Sequence, residues 1–371
     1  MKKYYSLDNI LQYDCQYSVV IGKRSNGKSF AAFKLGLERF VKSGYHDQMA
    51  VLRRWDEDFV KNRAAQMMAG LMCDGNGVNQ VEHLTGGQYN TIYYHSRRWY
   101  LAVWDSETKE IKKMDRPFAY GFSLSGMEHD KSTSFPDVKL VVFDEFITRG
   151  AYLKDEFVLY MNVLSTIIRD RNDVRILMLA NTVNQYAPYF DEMGLDRIRE
   201  QKPGTIEIYQ MGDSSLRIAV EYCSDSDRIQ KSKLASDDYF CFNNPRLKMI
   251  TEGDWEIDLY PHCPLQYKST EILYMFFIIF KADVLQAEVI SHEGANFIFI
   301  HRKTSEIKKP DQDLVYSLEY DPRPNWRRRL SRPQLPVERK IWSLFLADKI
   351  YYQDNQVGEI VRNYLAVCNE E

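Results

Sequence analysis

Residues Gly22–Lys23–Arg24–Ser25–Asn26–Gly27–Lys28–Ser29 form a complete G-x-x-x-x-G-K-S loop. It sits between an apolar run, Tyr17–Ile21, and a stretch from Ser29 to Val41 with helical periodicity. A short buried strand feeding a helix through a tight glycine turn is half of a strand–helix–strand crossover. It therefore predicts a mostly parallel sheet covered by helices. The two glycines let the backbone wrap closely around an anion with its N–H groups pointing inward. Lys28 is placed to reach β- and γ-phosphates, and the Ser29 hydroxyl to ligate Mg²⁺. The expectation is that Gly22, Lys23, Arg24, Ser25, Asn26, Gly27, Lys28 and Ser29 together hold ATP with Mg²⁺.

Two further apolar runs end in polar groups. Lys139–Leu140–Val141–Val142–Phe143 leads into Asp144–Glu145. An Asp at such a strand end can hold a metal beside Ser29, and the adjacent Glu can polarise a water. The second acid favours an ATPase of the additional-strand type over a small-molecule kinase. Val174–Ala180 leads into Asn181–Thr182, where Asn181 either bonds the attacking water and γ-phosphate or simply caps the strand. Between them Phe157, Met161, Leu164 and Ile168 fall at helical spacing, delivering Arg169 and Arg171 at the helix end. Those arginines suit the helix dipole there, or one inserts into a neighbouring subunit's site as an arginine finger.

At 371 residues the chain is long enough for two cores, and its net charge of −3 excludes a polycation. Any nucleic-acid contact must come from local basic surface. The six cysteines are scattered without a C-x-x-C pair, which fits a reducing cytoplasm. No apolar leader opens the chain, and the longest apolar stretch, Ile272–Phe280, is too short to cross a bilayer.

Along the chain, Met49–Arg53 reads as a second strand and Asp56–Leu71 as a helix, followed by a polar loop at Asp74–Gly87. Asn90–His95 and Arg98–Trp104 form a hairpin about Ser96–Arg97, and Phe118–Leu124 is a further strand before the polar loop Ser125–Pro136. The reading divides residues 1–222 as a phosphate-loop ATPase domain, 223–243 as a linker and 244–371 as a second domain. In the latter, Glu271–Lys281, Val284–His292 and Asn296–Arg302 read as an antiparallel meander, with helices near Pro336–Ile350 and Asn355–Val367. The proline-broken segment Asp321–Arg332 carries Arg323, Trp326, Arg327, Arg328, Arg329 and Arg332. It is either a solvated loop or a nucleic-acid contact with arginines on phosphates and Trp326 stacking.

VIGKRSNGKS, VVFDEF and IIRDRNDVRILMLAN, with the chain length and a small β-rich C-terminal domain, resemble the genome-packaging ATPases of phi29-type tailed phages. The similarity is clearest from Tyr17 to Phe190. It implies an additional-strand phosphate-loop α/β domain followed by a smaller α+β, RNase H-like domain. Members form a ring, generally pentameric, at the portal of an empty prohead in the host cytoplasm and drive double-stranded DNA inward. By resemblance Lys28 and Ser29 bind ATP with Mg²⁺, Asp144 holds the metal and Glu145 is the base. Arg169 then matches a finger acting in trans, Lys131 a lysine reaching across the subunit interface, and Arg53 an arginine near the phosphates. Trp55–Asp58 departs from the pattern, being acidic where a DNA-facing loop should be basic, so Lys61, Arg63 or the C-terminal domain would have to grip.

The C-terminal domain of relatives resembles a nuclease without its metal site, and here Ile272–Phe280 contains no acid while Asp283 and Glu288 stand beyond it. Three functions follow: a DNA-packaging motor without nuclease activity, a cellular DNA translocase or helicase of the same superfamily, or a nucleotide-switched assembly protein. A motor would engage a portal or prohead RNA; a cellular translocase would not.

Overall fold

The computed structural model describes residues 5–23, 26–126, 134–223, 255 and 258–369. Arg24, Ser25, Lys131 and the expected linker beyond Cys223 lie outside the described residues. The chain divides into two compact units, Met1–Glu256 and Ile257–Glu371. That division falls later than the start at 244 read from composition.

The first unit is built on a ten-stranded sheet. Its strands are β1 (Tyr17–Gly22), β2 (Gln48–Arg53), β3 (Thr91–His95), β4 (Arg98–Trp104), β5 (Ile111–Lys113), β6 (Ala119–Ser123), β7 (Val138–Asp144), β8 (Arg175–Asn181), β9 (Thr205–Gln210) and β10 (Arg217–Tyr222). The order is β3-β4-β6-β2-β7-β8-β1-β10-β9, with β5 beside β4. From β6 to β10 all neighbours are parallel; β3, β4 and β9 add antiparallel edges. Strand β8 is inserted between β1 and β7, which is the additional-strand arrangement. It brings the carboxyl ends of the three motif strands side by side, where a parallel sheet places its ligand.

Period-two alternation explains the two cores on the sheet's faces. Val19, Ile21, Val141, Phe143, Ile176 and Met178 pack on one side with the helix Glu156–Ile168. Val20, Val51, Val142 and Leu177 pack on the other with Phe33, Leu37 and Phe40 of the helix Lys28–Lys42.

Several local readings are corrected. The Asp56–Leu71 stretch is a 3₁₀ turn, Asp56–Phe59, then the helices Lys61–Met67 and Ala69–Met72, because Val60 is extended (ψ 146°). The Asp74–Gly87 loop contains the helix Gln80–Leu84, whose cap Asn79 accepts from the Glu82 N–H at 3.1 Å. The buried face of Glu156–Ile168 runs through Tyr160, Val163, Leu164 and Ile167, and Met161 is exposed. The expected hairpin closes as a two-residue turn at Ser96 and Arg97, both at positive φ (50° and 57°), which matches the twist of its strands.

The second unit contains a six-stranded sheet. Its strands are β11 (Ile272–Phe280), β12 (Asp283–His292), β13 (Ala295–Arg302), β14 (Leu314–Ser317), β15 (Trp326–Arg327) and β16 (Ile350–Tyr352). The β11-β12-β13 meander is antiparallel, and β14 and then β15 are added in parallel beside β11. This is the RNase H-like strand order. The helices are Pro336–Leu346 and Asn355–Asn369, separated by β16, so the first ends earlier than its periodicity suggested.

Candidate active site

The loop after β1 needs both glycines for separate reasons. Gly27 has φ 93°, a conformation that an L side chain strains to adopt, and it opens the helix Lys28–Lys42. At Gly22 a β-carbon would lie 2.8 Å from the Cys223 β-carbon, so only glycine lets the chain turn beside β10. The buried Lys28 ammonium donates to the carbonyls of Gly22 at 3.0 Å and Lys23 at 2.8 Å, and to Asn26 Oδ1 at 3.1 Å. It also reaches Asn181 Oδ1 at 3.4 Å. Burial lowers its pKa to about 8, against the opposing pull of Cys223 and Asp144.

Across β8, the Ser29 hydroxyl donates to Asp144 Oδ1 at 2.9 Å. Burial pushes the Asp144 carboxyl up from the ordinary range, while Arg53, Ser29 and Lys28 oppose the shift. Arg53 ends β2 and bridges both acids, with Nη2 3.4 Å from Asp144 Oδ2 and Nη1 2.6 Å from Glu145 Oε2. Burial works against its charge, but Asp144 and Glu145 outweigh burial and raise its pKa. Its Nε is buried with no hydrogen-bond partner. Glu145 has φ 60°, costing about 1 kcal/mol or more, and projects a 64% exposed side chain.

These groups line one cleft of about 810 Å³. It gathers Asn26, Gly27, Lys28, Ser29, Arg53, Asp144, Glu145 and Asn181. The donors suit a polyphosphate, and the Ser29 hydroxyl beside the Asp144 carboxylate is the oxygen chemistry that Mg²⁺ takes. Two further arginines line the cleft, Arg54 and Arg149, and the sequence reading missed both. The Arg53–Arg54 doublet at a strand end was a usable signal for the first; nothing local marks Arg149.

Arg169 lies elsewhere. It ends the helix Glu156–Ile168 at φ 50°. Two residues on, Arg171 donates to the carbonyls of Pro136 at 2.7 Å and Val138 at 2.9 Å, at the start of β7. Asp144 ends that seven-residue strand, which at about 3.3 Å per residue puts Arg169 roughly 20 Å from its own cleft. Arg171 is thus engaged by carbonyls of its own chain.

In the second unit the basic segment is largely engaged internally. Arg323 pairs with Asp321 at 2.7 Å and covers the Trp326 ring at 4.2 Å. The Trp326 indole N–H donates to the Pro310 carbonyl at 3.0 Å. Arg327 pairs with the buried Glu338 at 2.9 Å, and Arg328 Nε donates to the Leu318 carbonyl at 3.0 Å. Stacking by Trp326 and phosphate pairing by Arg323 or Arg327 would require breaking these contacts. Arg328 and Arg332 are exposed and Arg329 half-buried.

The family model for the Podovirus DNA encapsidation protein (Gp16) matches residues 1–197. The DNA packaging proteins of Bacillus phages PZA and phi29 are each 28% identical over 191 residues, covering 50% of this chain and 49% of each relative. The chain thus matches about half the length of these curated relatives. A chain of the bacteriophage Phi-29 viral genome packaging motor assembly is 20% identical with 98% of both chains covered and a TM-score of 0.55, which shows a shared fold.

Proposed function

Because this chain belongs to the podovirus DNA encapsidation protein (Gp16) family, we propose that it is an ATPase that drives double-stranded viral DNA through a portal into a preformed prohead. The observation that carries the reading is the meeting of Ser29, Asp144, Glu145 and Asn181 with the phosphate-loop lysine at one cleft, in additional-strand order.

In this reading the backbone from Gly22 to Ser29 and the Lys28 ammonium bind the phosphates. Ser29 and Asp144 would hold Mg²⁺, which would supply positive charge to offset that of the phosphates. Glu145 takes the proton of the attacking water once Arg53 releases it, and Arg53 turns to the phosphate charge. Asn181 orients the water or the phosphate. Arg169, remote from its own cleft, acts in a neighbouring subunit of a homo-oligomeric ring, the pentamer of the resemblance; Lys131 would join it across that interface.

The second unit is proposed to bind nucleic acid, DNA or prohead RNA, without cutting it. Asp283 and Glu288 lie an odd step apart on a regular strand and so face opposite sides of the sheet. Asp283 pairs with Arg302 at 2.8 Å, and Glu288 accepts from Tyr267 at 2.7 Å and Gln286 at 2.7 Å. Such a pair is not built to share two metal ions.

A switch without turnover needs no base, so the placement of Glu145 favours hydrolysis. The test is phosphate release by the full chain: Glu145→Gln should keep ATP binding and lose turnover. Equal rates for the two chains would remove the proposed chemistry.

A further inference from the structure

Glu145 sits in the left-handed backbone region at φ 60°, where a residue with a β-carbon does not rest without restraint. Arg54 restrains that turn, together with the Phe146 N–H, which donates to the Leu179 carbonyl at 3.3 Å. The Arg54 Nη2 donates to the Phe146 carbonyl at 2.7 Å, and its Nη1 lies 3.5 Å from the Glu145 carbonyl. The guanidinium is itself clamped. Nε and Nη2 donate to the two oxygens of Glu156 at 2.7 and 2.8 Å, and the Tyr152 ring lies 4.9 Å from Cζ. Glu156 also accepts from the Tyr189 hydroxyl and the Leu153 N–H, both at 2.8 Å.

Both members of the pair are buried, Arg54 at 6% and Glu156 at 5% exposure. A buried ion pair adds little net stability over a well-packed apolar one, so stability alone does not account for it. A planar fork is the side chain that can meet a carboxylate and a backbone carbonyl at once in fixed directions; a lysine cannot. Glu156 is also the first residue of the helix whose far end is Arg169. One side-chain pair therefore joins the turn that aims Glu145 to the rod that ends at Arg169.

We propose that Arg54 and Glu156 are positioning residues for Glu145, and that through them the aim of Glu145 is tied to the helix bearing Arg169. The proposal rests on the ATPase reading above.

The experiment uses the full chain and compares Arg54→Lys, Glu156→Gln, the double variant and Tyr189→Phe. It measures binding of a fluorescent ATP analogue, kcat, KM and Tm. Glu156→Gln keeps its shape and an acceptor for Tyr189; Arg54→Lys keeps its charge but cannot span both partners. Either should leave nucleotide Kd and KM within about threefold while kcat falls about tenfold to a hundredfold, the loss that a small misplacement of a catalytic group produces. The double variant should fall little below the worse single, because the two act as one unit. Tyr189→Phe, which deletes only a hydroxyl, should lower kcat in the same direction by a smaller factor. A lower Tm with wild-type kcat per folded molecule, or multiplicative losses in the double variant, would overturn the proposal. A wild-type chain that binds but never hydrolyses ATP would overturn the ATPase reading itself and the proposal with it.

Discussion

Arg53 Nη1 lies 2.6 Å from Glu145 Oε2 while Nη2 faces Asp144 Oδ2 at 3.4 Å, so one guanidinium holds both acids. With the pair closed, Glu145 offers its carboxylate to Arg53 rather than to a water, and phosphate charge entering the cleft competes for the same guanidinium. Glu145→Gln should bind ATP with near-normal affinity and lose roughly 10²–10⁴-fold in turnover, the contribution of a positioned base. Filter binding and steady-state phosphate release check the two halves separately.

Lys28 supplies a pH prediction. In the nucleotide-free chain its pKa is lowered to about 8 by burial. Phosphate oxygens favour the charged ammonium, so binding raises that pKa. At pH 7 the group is mostly charged in both states and little proton is exchanged. Above about pH 8 the free site is increasingly neutral, so ATP binding takes up close to one proton and affinity falls as pH rises. Calorimetry at pH 9 in buffers of different ionisation enthalpy measures the uptake. Proton-neutral binding there would contradict the assignment.

Much of this site is legible in the sequence because each motif is local. A glycine loop, an apolar strand ending in Asp144–Glu145 and another ending in Asn181 each declare themselves within about ten residues. That the motif strands end at one carboxyl edge follows from the alternation of strands and helices, whereas their order in the sheet is read from the structure. What stays hidden depends on distant partners. The engagement of Arg54 with Glu156, and of Arg323 with Asp321 over Trp326, is invisible to composition, which reads a run of arginines as free charge. The helix Gln80–Leu84 was missed because its glycine-rich flanks outweigh five residues of weak periodicity. Strands β9 and β10 also escape the sequence reading, although Ile206 and Ile208 alternate with Thr205 and Glu207 in β9, and β10 completes the parallel sheet beside the phosphate loop.

Arg169 stands about 20 Å from its own cleft by strand length, so its effect on hydrolysis should require a neighbour. Specific activity should rise with protein concentration. Arg169→Ala mixed with Glu145→Gln should recover part of the activity that neither has alone, since some mixed interfaces regain both groups. A mixture as inactive as its components, in assemblies shown to exchange subunits, would argue for action in cis or none.

In the second unit, Arg327→Ala takes the guanidinium from the buried Glu338 carboxylate, which keeps the Gln334 and Leu335 N–H donors, and should destabilise that unit by about 2 kcal/mol, seen as an earlier unfolding transition in urea on the full chain. Replacing Arg328, Arg329 and Arg332 together is the companion variant, with its own unfolding transition measured alongside. The same triple change should flatten the salt dependence of DNA binding by up to about three phosphate equivalents. An unchanged slope would place the nucleic-acid contact elsewhere.

The central claim is that ATP hydrolysis at the Lys28–Glu145 cleft moves DNA into a shell. The most direct measurement combines the purified full chain with proheads of its own phage, double-stranded DNA and ATP, and scores DNA protected from added nuclease alongside phosphate released. The account predicts protected genome-length DNA, hydrolysis raised by DNA and proheads together, and loss of both with Glu145→Gln. Hydrolysis indifferent to DNA and proheads, with no DNA protected by a chain that turns over ATP, would contradict it.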